Sequence, residues 1–133
     1  MSELLVPISP GELIDKITIL EIKSQRMSDA AKLANVRTEL GLLTDTWRAS
    51  PWAATDIGEE WAGLRTVNEK LWDIEDQIRD KERDGRFDAG FVELARAVYI
   101  TNDERAALKK RINTRLGSAL VEEKSYADYR RKA

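Results

Sequence analysis

Residues 56–84 and 88–116 both carry helical hydrophobic periodicity, and only Gly85-Arg86-Phe87 separates them. At 1.5 Å per residue each helix is about 43 Å long. A three-residue link between two such rods forces them to fold back as an antiparallel hairpin. Asp88 is placed to cap the second rod, while Gly85 and Gly117 stand where helices stop. Any fold open to this chain is therefore built on that hairpin.

The residues before it supply a second, shorter pair of helices. In Ser9-Pro10-Gly11-Glu12, the serine suits an N-cap, the proline the first helical position, and Glu12 the third position of a capping box. Ile8 and Leu13 are placed for a hydrophobic staple. This predicts a helix from Pro10 to about Met27. Its apolar residues (Leu13, Ile14, Ile17, Ile19, Leu20 and Ile22) cover most of its circumference, so it belongs inside, between neighbours. Ser28 or Asp29 then caps a second helix, whose Leu33, Val36, Leu40, Leu43 and Trp47 form a narrow seam. Gly41 in that helix suggests a close backbone crossing. Arg48 to Thr55, with Ser50-Pro51, reads as the main loop.

The expected fold is all-α, a four-helix bundle-like arrangement with a short N-terminal hairpin (9–49) packed on the long one (56–117). At 133 residues this makes one domain, 1–133. Leu4–Ile8 reads as an extended arm. The C-terminal tail 118–133 is expected to dock partly through Leu120, Val121, Tyr126 and Tyr129 and to fray at Arg130-Arg131-Lys132.

Composition removes several kinds of chemistry. Without cysteine there is no disulfide, thiolate zinc site or thiol nucleophile, and without histidine the commonest metal ligand and general base are missing. No apolar run approaches the roughly 18 residues of a membrane span. Met1–Pro7 has neither the basic start nor the apolar length of a signal peptide, so a cytoplasmic protein is expected. No cofactor is implied. The net charge of −2 divides unevenly along the chain. Residues 57–85 carry 5 basic and 9 acidic side chains (net −4), whereas residues 86–133 carry 11 and 7 (net +4). Mutual packing of the two halves explains that division better than a nucleic-acid tail. Lys109-Lys110-Arg111 with Arg115 is a short basic run, but Glu104, Glu122 and Glu123 lie close by and no aromatic residues interleave.

The segments PISPGELIDKITILEIK, VNEKLWDIEDQIRDKE, LARAVYITNDERAALKKRIN and GSALVEEKSY resemble a small bacterial family of uncharacterised proteins, a domain of unknown function. The resemblance implies a shared stand-alone architecture and, for some members, an association with glycosyltransferase or envelope-glycan genes. It supplies no catalytic residues.

Chemistry is expected where polar residues interrupt buried faces. Glu21 lies among Ile14, Ile17 and Thr18 on a helical wheel. On the third helix the inward row is Trp61, Leu64, Asn68, Leu71, Glu75, Ile78. On the fourth it is Phe91, Leu94, Val98, Asn102, Arg105, Leu108, Ile112. Pairing the rods about residue 86 sets Asn68 level with Arg105 and Glu75 near Val98. Glu21, Asn68, Glu75, Asn102 and Arg105, with Lys109 one turn away, thus form a candidate polar layer. One reading of it is an ion-pair network that fixes helix register. The other is a pocket in which arginine and lysine bind an anion. An enzyme of the latter kind would resemble the helical chorismate mutases, whose first helix is similar to ILEIKSQRM here.

Glu69, Asp73, Asp76 and Asp80 form an acidic stripe at i, i+4, i+7, i+11 that needs counter-charge from the fourth helix, a metal ion or a partner. A solvated face is the simpler account. Trp47, Trp52 and Trp61 are expected to plug one end of the bundle, while Trp72 lies off the inward row. With no catalytic toolkit and two long paired helices, the sequence points to a non-catalytic interaction or assembly module. Its expected partner is a protein, with a homodimer through the long hairpin as one form.

Overall fold

The computed structural model describes residues 3–131, so Lys132, expected to fray, lies outside them. Four helices follow in order: α1 (Pro10–Arg26), α2 (Ala30–Arg48), α3 (Gly58–Arg83) and α4 (Ala89–Leu116). Among the described residues there is no strand, and the fold is all-α and bundle-like. The ends follow local chemistry. Ser9, Asp29 and Asp88 accept hydrogen bonds from the backbone N–H groups of Glu12, Lys32 and Phe91. Gly117 ends α4 in the left-handed region at φ 65°, where a side chain would be strained.

α1 is the centre of the molecule and packs against each of the other three helices, while α3 and α4 pack on each other. Nine of its 17 residues are buried, including Ile14, Ile17 and Ile22. α2 packs along α1 and reaches α3 through Trp47. It buries only Val36 and Trp47 fully, so it flanks a three-helix core instead of completing a symmetric bundle. The expected crossing at Gly41 is absent: nothing approaches that position. The close approach is at Gly11, where an added Cβ would run into the backbone carbonyl of Lys109.

The main core joins Leu13, Ile14, Ile17, Trp47, Ile57, Leu64, Ile112 and Leu116, with Trp52 and Trp61 packed against it. Trp47 and Trp61 meet edge to face at 5.9 Å, so the tryptophan plug lies where the pattern put it. The other end of the long hairpin is different. Between Glu75 and Ile100 no residue is fully buried, so the tip is a two-helix projection. No helix among the described residues is long and apolar enough to cross a membrane.

Candidate functional site

The buried polar layer exists, but its hub is Asp15, which the inward rows did not single out. The carboxylate of Asp15 is fully buried. Its Oδ1 accepts from Asn68 Nδ2 at 3.0 Å and from Arg105 Nε at 2.9 Å, and its Oδ2 takes a second bond from the same guanidinium. Asn68 also donates to Thr18 Oγ1 at 3.0 Å, and Asn102 Oδ1 lies 3.5 Å from Arg105 Nη1. Asn68 and Arg105 thus meet across the hairpin at the expected height, because both reach for one acceptor on α1. The fork of Arg105 matches the carboxylate geometry, and that hydrogen-bonded contact holds the guanidinium pKa above its ordinary value against the opposing effect of burial.

Two residues assigned to this layer are elsewhere. Glu75 is a correction. Its side chain is 45% exposed and pairs with Arg79 on its own helix at 3.3 Å. The buried row of α3 runs through Val67, Leu71 and Ile74 instead, and the α1 face that would have covered Glu75 does not extend there. Glu21 is also half-buried and apart from Asp15. It accepts from Trp61 Nε1 at 3.3 Å and lies 3.7 Å from Arg65, beside a second, more open cleft of about 580 Å³.

Lys109 is adjacent to the hub and nearly buried. Its ammonium contacts Glu12 Oε2 and Glu122 Oε2, each at 2.6 Å. Burial works against its charge, but the hydrogen bonds it donates to Glu12 and Glu122 outweigh it, so the Lys109 pKa stands above its ordinary value. The same contact holds the Glu122 carboxyl below its own. Glu12 therefore serves Lys109 instead of closing the capping box. One turn on, Asn113 Oδ1 accepts from Gly11 N at 2.7 Å, tying the start of α1 to the end of α4.

Beside these residues a cleft of about 1070 Å³ runs between α4 and the C-terminal tail. Arg105, Asn102, Lys109 and Glu12 form its floor and Tyr99 one wall, while the tail from Glu122 to Arg130 forms the roof. Three of the six candidate residues thus border one space. Asn68 is sealed behind it, and Glu21 and Glu75 lie away from it.

A second buried acid, Glu60, sits in the first turn of α3 at 1% exposure. Arg115 Nη1 contacts its Oε1, and Arg111 Nε lies 3.6 Å away. The hydrogen bond from Arg115 lowers the Glu60 pKa despite the cost of burial. Its other oxygen and the buried Thr101 hydroxyl have no hydrogen-bond partner. The basic run of α4 is thereby spent partly on the protein's own acids.

The acidic stripe of α3 finds counter-charge from arginines, not from α4. Glu69 pairs with Arg65 at 3.0 Å, Asp73 with Arg26 of α1, and Asp80 with Arg83 at 3.3 Å. The Arg26 guanidinium also lies 5.8 Å from the Trp72 ring centroid, which accounts for that tryptophan off the inward row. Among the described residues no group of three acidic side chains is arranged to hold a metal ion.

The sequence profile of DUF6165, described as a family of unknown function, matches residues 4–130. The chain belongs to that family. The match spans the four helices, the cleft and nearly the whole tail that roofs it, so all of these are parts of the DUF6165 unit. No curated protein and no solved structure matches the chain.

Proposed function

We propose that this DUF6165 protein is a non-catalytic binding module of the bacterial cytoplasm that holds an anionic group, on a small molecule or on a partner protein, in the cleft between α4 and the tail. The carrying observation is a ligand-sized cleft, about 1070 Å³, whose floor presents Arg105 and Lys109 in fixed positions. Arg105 is fixed by the buried Asp15 carboxylate and Lys109 by Glu12, so both are ordered before any ligand arrives. The same pairings favour binding over catalysis of the chorismate-mutase kind. Each cation already faces a carboxylate of the protein and is held as half of an ion pair. NMR titration of the 15N-labelled protein with succinate and inorganic phosphate tests this. Shifts confined to residues around Asn102, Arg105 and Lys109 are expected, and a spectrum unchanged by either anion refutes it.

A second reading, self-association, has its own observation. Leu4 and Leu5 in the N-terminal arm are 92% and 89% exposed, and Val6 follows them. Three adjacent apolar side chains in water favour burial against a protein surface. Light scattering across a concentration series checks it. Association that Leu4→Ser with Leu5→Ser abolishes supports a homodimer, and a monomer at every concentration refutes it.

A further inference from the structure

After Gly117 the chain reverses and runs back along α4 as a strap. Its contacts step backwards along the helix: Glu122 meets Lys109 at 2.6 Å, Lys124 meets Asp103 at 3.1 Å, and Tyr129 stacks edge-on against Tyr99 at 5.0 Å. Leu120, Val121, Tyr126 and Tyr129 all remain exposed, so no apolar core holds the strap down. Exposed ion pairs of this kind are individually weak. The cleft lies directly between the strap and α4, which means the strap bridges the space without filling it.

Among the strap's anchors, the one at Lys109 differs from the rest. An ammonium has three donors, and Lys109 directs them into a nearly buried site shared by one carboxylate from the body, Glu12, and one from the strap, Glu122. We propose that Lys109 is a carboxylate-binding subsite which the strap occupies with Glu122, and that a carboxylate-bearing ligand enters the cleft by taking the place of Glu122. The proposal rests on the binding reading of the cleft and adds its ligand class and its gate. The exchange conserves charge. One carboxylate leaves as another arrives, while Glu12 stays on Lys109 and Asp15 stays on Arg105. A phosphate dianion would instead concentrate two negative charges on the one group at Lys109, beside Glu12, Asp15 and Asp103, where a carboxylate places only one. The cleft therefore selects carboxylate over phosphate.

The test uses the full chain and three probes: succinate, an N-acetylated peptide with the sequence of residues 120–124, and inorganic phosphate. Binding is read by NMR titration, and release of the strap by the 15N heteronuclear NOE of residues 120–130. Glu122→Gln is expected to bind both carboxylate probes about three- to tenfold more tightly than the parent, since the internal competitor is lost. Lys124→Ala and Tyr129→Ala, which loosen the strap without touching Lys109, shift affinity the same way. Succinate lowers that NOE across the strap of the parent protein. A peptide that binds more tightly than succinate identifies an acidic protein segment as the source of the carboxylate, and equal binding identifies a small acid. Equal carboxylate affinity in parent and Glu122→Gln overturns the strap exchange while the binding reading of the cleft survives. Phosphate binding tighter than both carboxylates overturns the ligand class. No binding by any probe in either protein refutes the exchange and the cleft reading together.

Discussion

Removing the Arg105 side chain is the sharpest probe of the polar layer. In the parent, the fully buried Asp15 carboxylate is held by both guanidinium contacts and by the Asn68 amide. Arg105→Ala leaves that carboxylate with the amide alone. Breaking one side of a buried ion pair costs about 3–5 kcal/mol, because the remaining charge stays desolvated. Arg105 is partly open to the cleft, so water can reach the vacated space, and the lower end, about 3 kcal/mol, applies. For a chain of this length that corresponds to a fall in Tm of about 10 °C. The control is Asp15→Asn with Arg105→Met. Removing both charges while keeping the bulk and an amide at position 15 is expected to restore more than half of the loss. Urea unfolding followed by tryptophan fluorescence reads each variant, since Trp47 and Trp61 report on the core. If Arg105→Ala unfolds within about 0.5 kcal/mol of the parent, as ordinary surface substitutions do, Asp15 is not held by this arginine and the layer has no hub.

Three further outcomes follow from other parts of the structure. Gly11→Ala drives a Cβ into the Lys109 carbonyl and the Asn113 amide, both on a packed helix, and is expected to cost about 1–3 kcal/mol in the same urea assay; an unchanged midpoint means α1 and α4 do not approach so closely. Glu60 makes stability depend on acid. Its folded pKa lies below the ordinary 4.5, so its contribution is fully present above that value and is lost as pH falls through the folded pKa. Urea midpoints measured from pH 6 to pH 3 are expected to fall less steeply for Glu60→Gln than for the parent, and parallel curves exclude Glu60 as a source of the slope. Asp76→Asn, on the exposed flank of the acidic stripe, is expected to change stability by no more than about 0.5 kcal/mol; a larger effect shows that Asp76 itself has a structural partner.

What was legible in the sequence was local, and what was missed was set by how helices cross. Ser9, Asp29, Asp88 and Gly117 mark helix ends with side-chain and backbone chemistry that needs no tertiary context, and all four act where their type predicts. Asn68 and Arg105 could be brought together because a three-residue turn fixes the register of an antiparallel hairpin. Asp15 was passed over although its signal was present. In a helix apolar around most of its circumference, any polar residue is a candidate for burial, and Asp15, Thr18 and Ile22 share one stripe at i, i+3 and i+7. Glu21 satisfied the wheel equally well, but a wheel gives only direction. At its level on α1 the neighbours are the Trp61 indole and Arg65, which leave the carboxylate half open. Glu75 failed for a related reason: periodicity continues along a helix whether or not anything lies against it, and from that residue to Ile100 nothing covers the hairpin fully.

The roof of the cleft was the least readable part, since an irregular strap has no period to betray it. Yet its anchors could have been sought by charge. Glu122 and Glu123 follow a glycine stop by only a few residues, and a basic run precedes that stop. A chain that reverses at Gly117 must bring the two runs side by side, as Lys109 with Glu122 and Lys110 with Glu123 show. The near-neutral sum of those charges is the reason composition pointed to no ligand. Charges that cancel on paper can still be split between a fixed body and a movable strap, and such a split is what lets the strap leave and another carboxylate arrive.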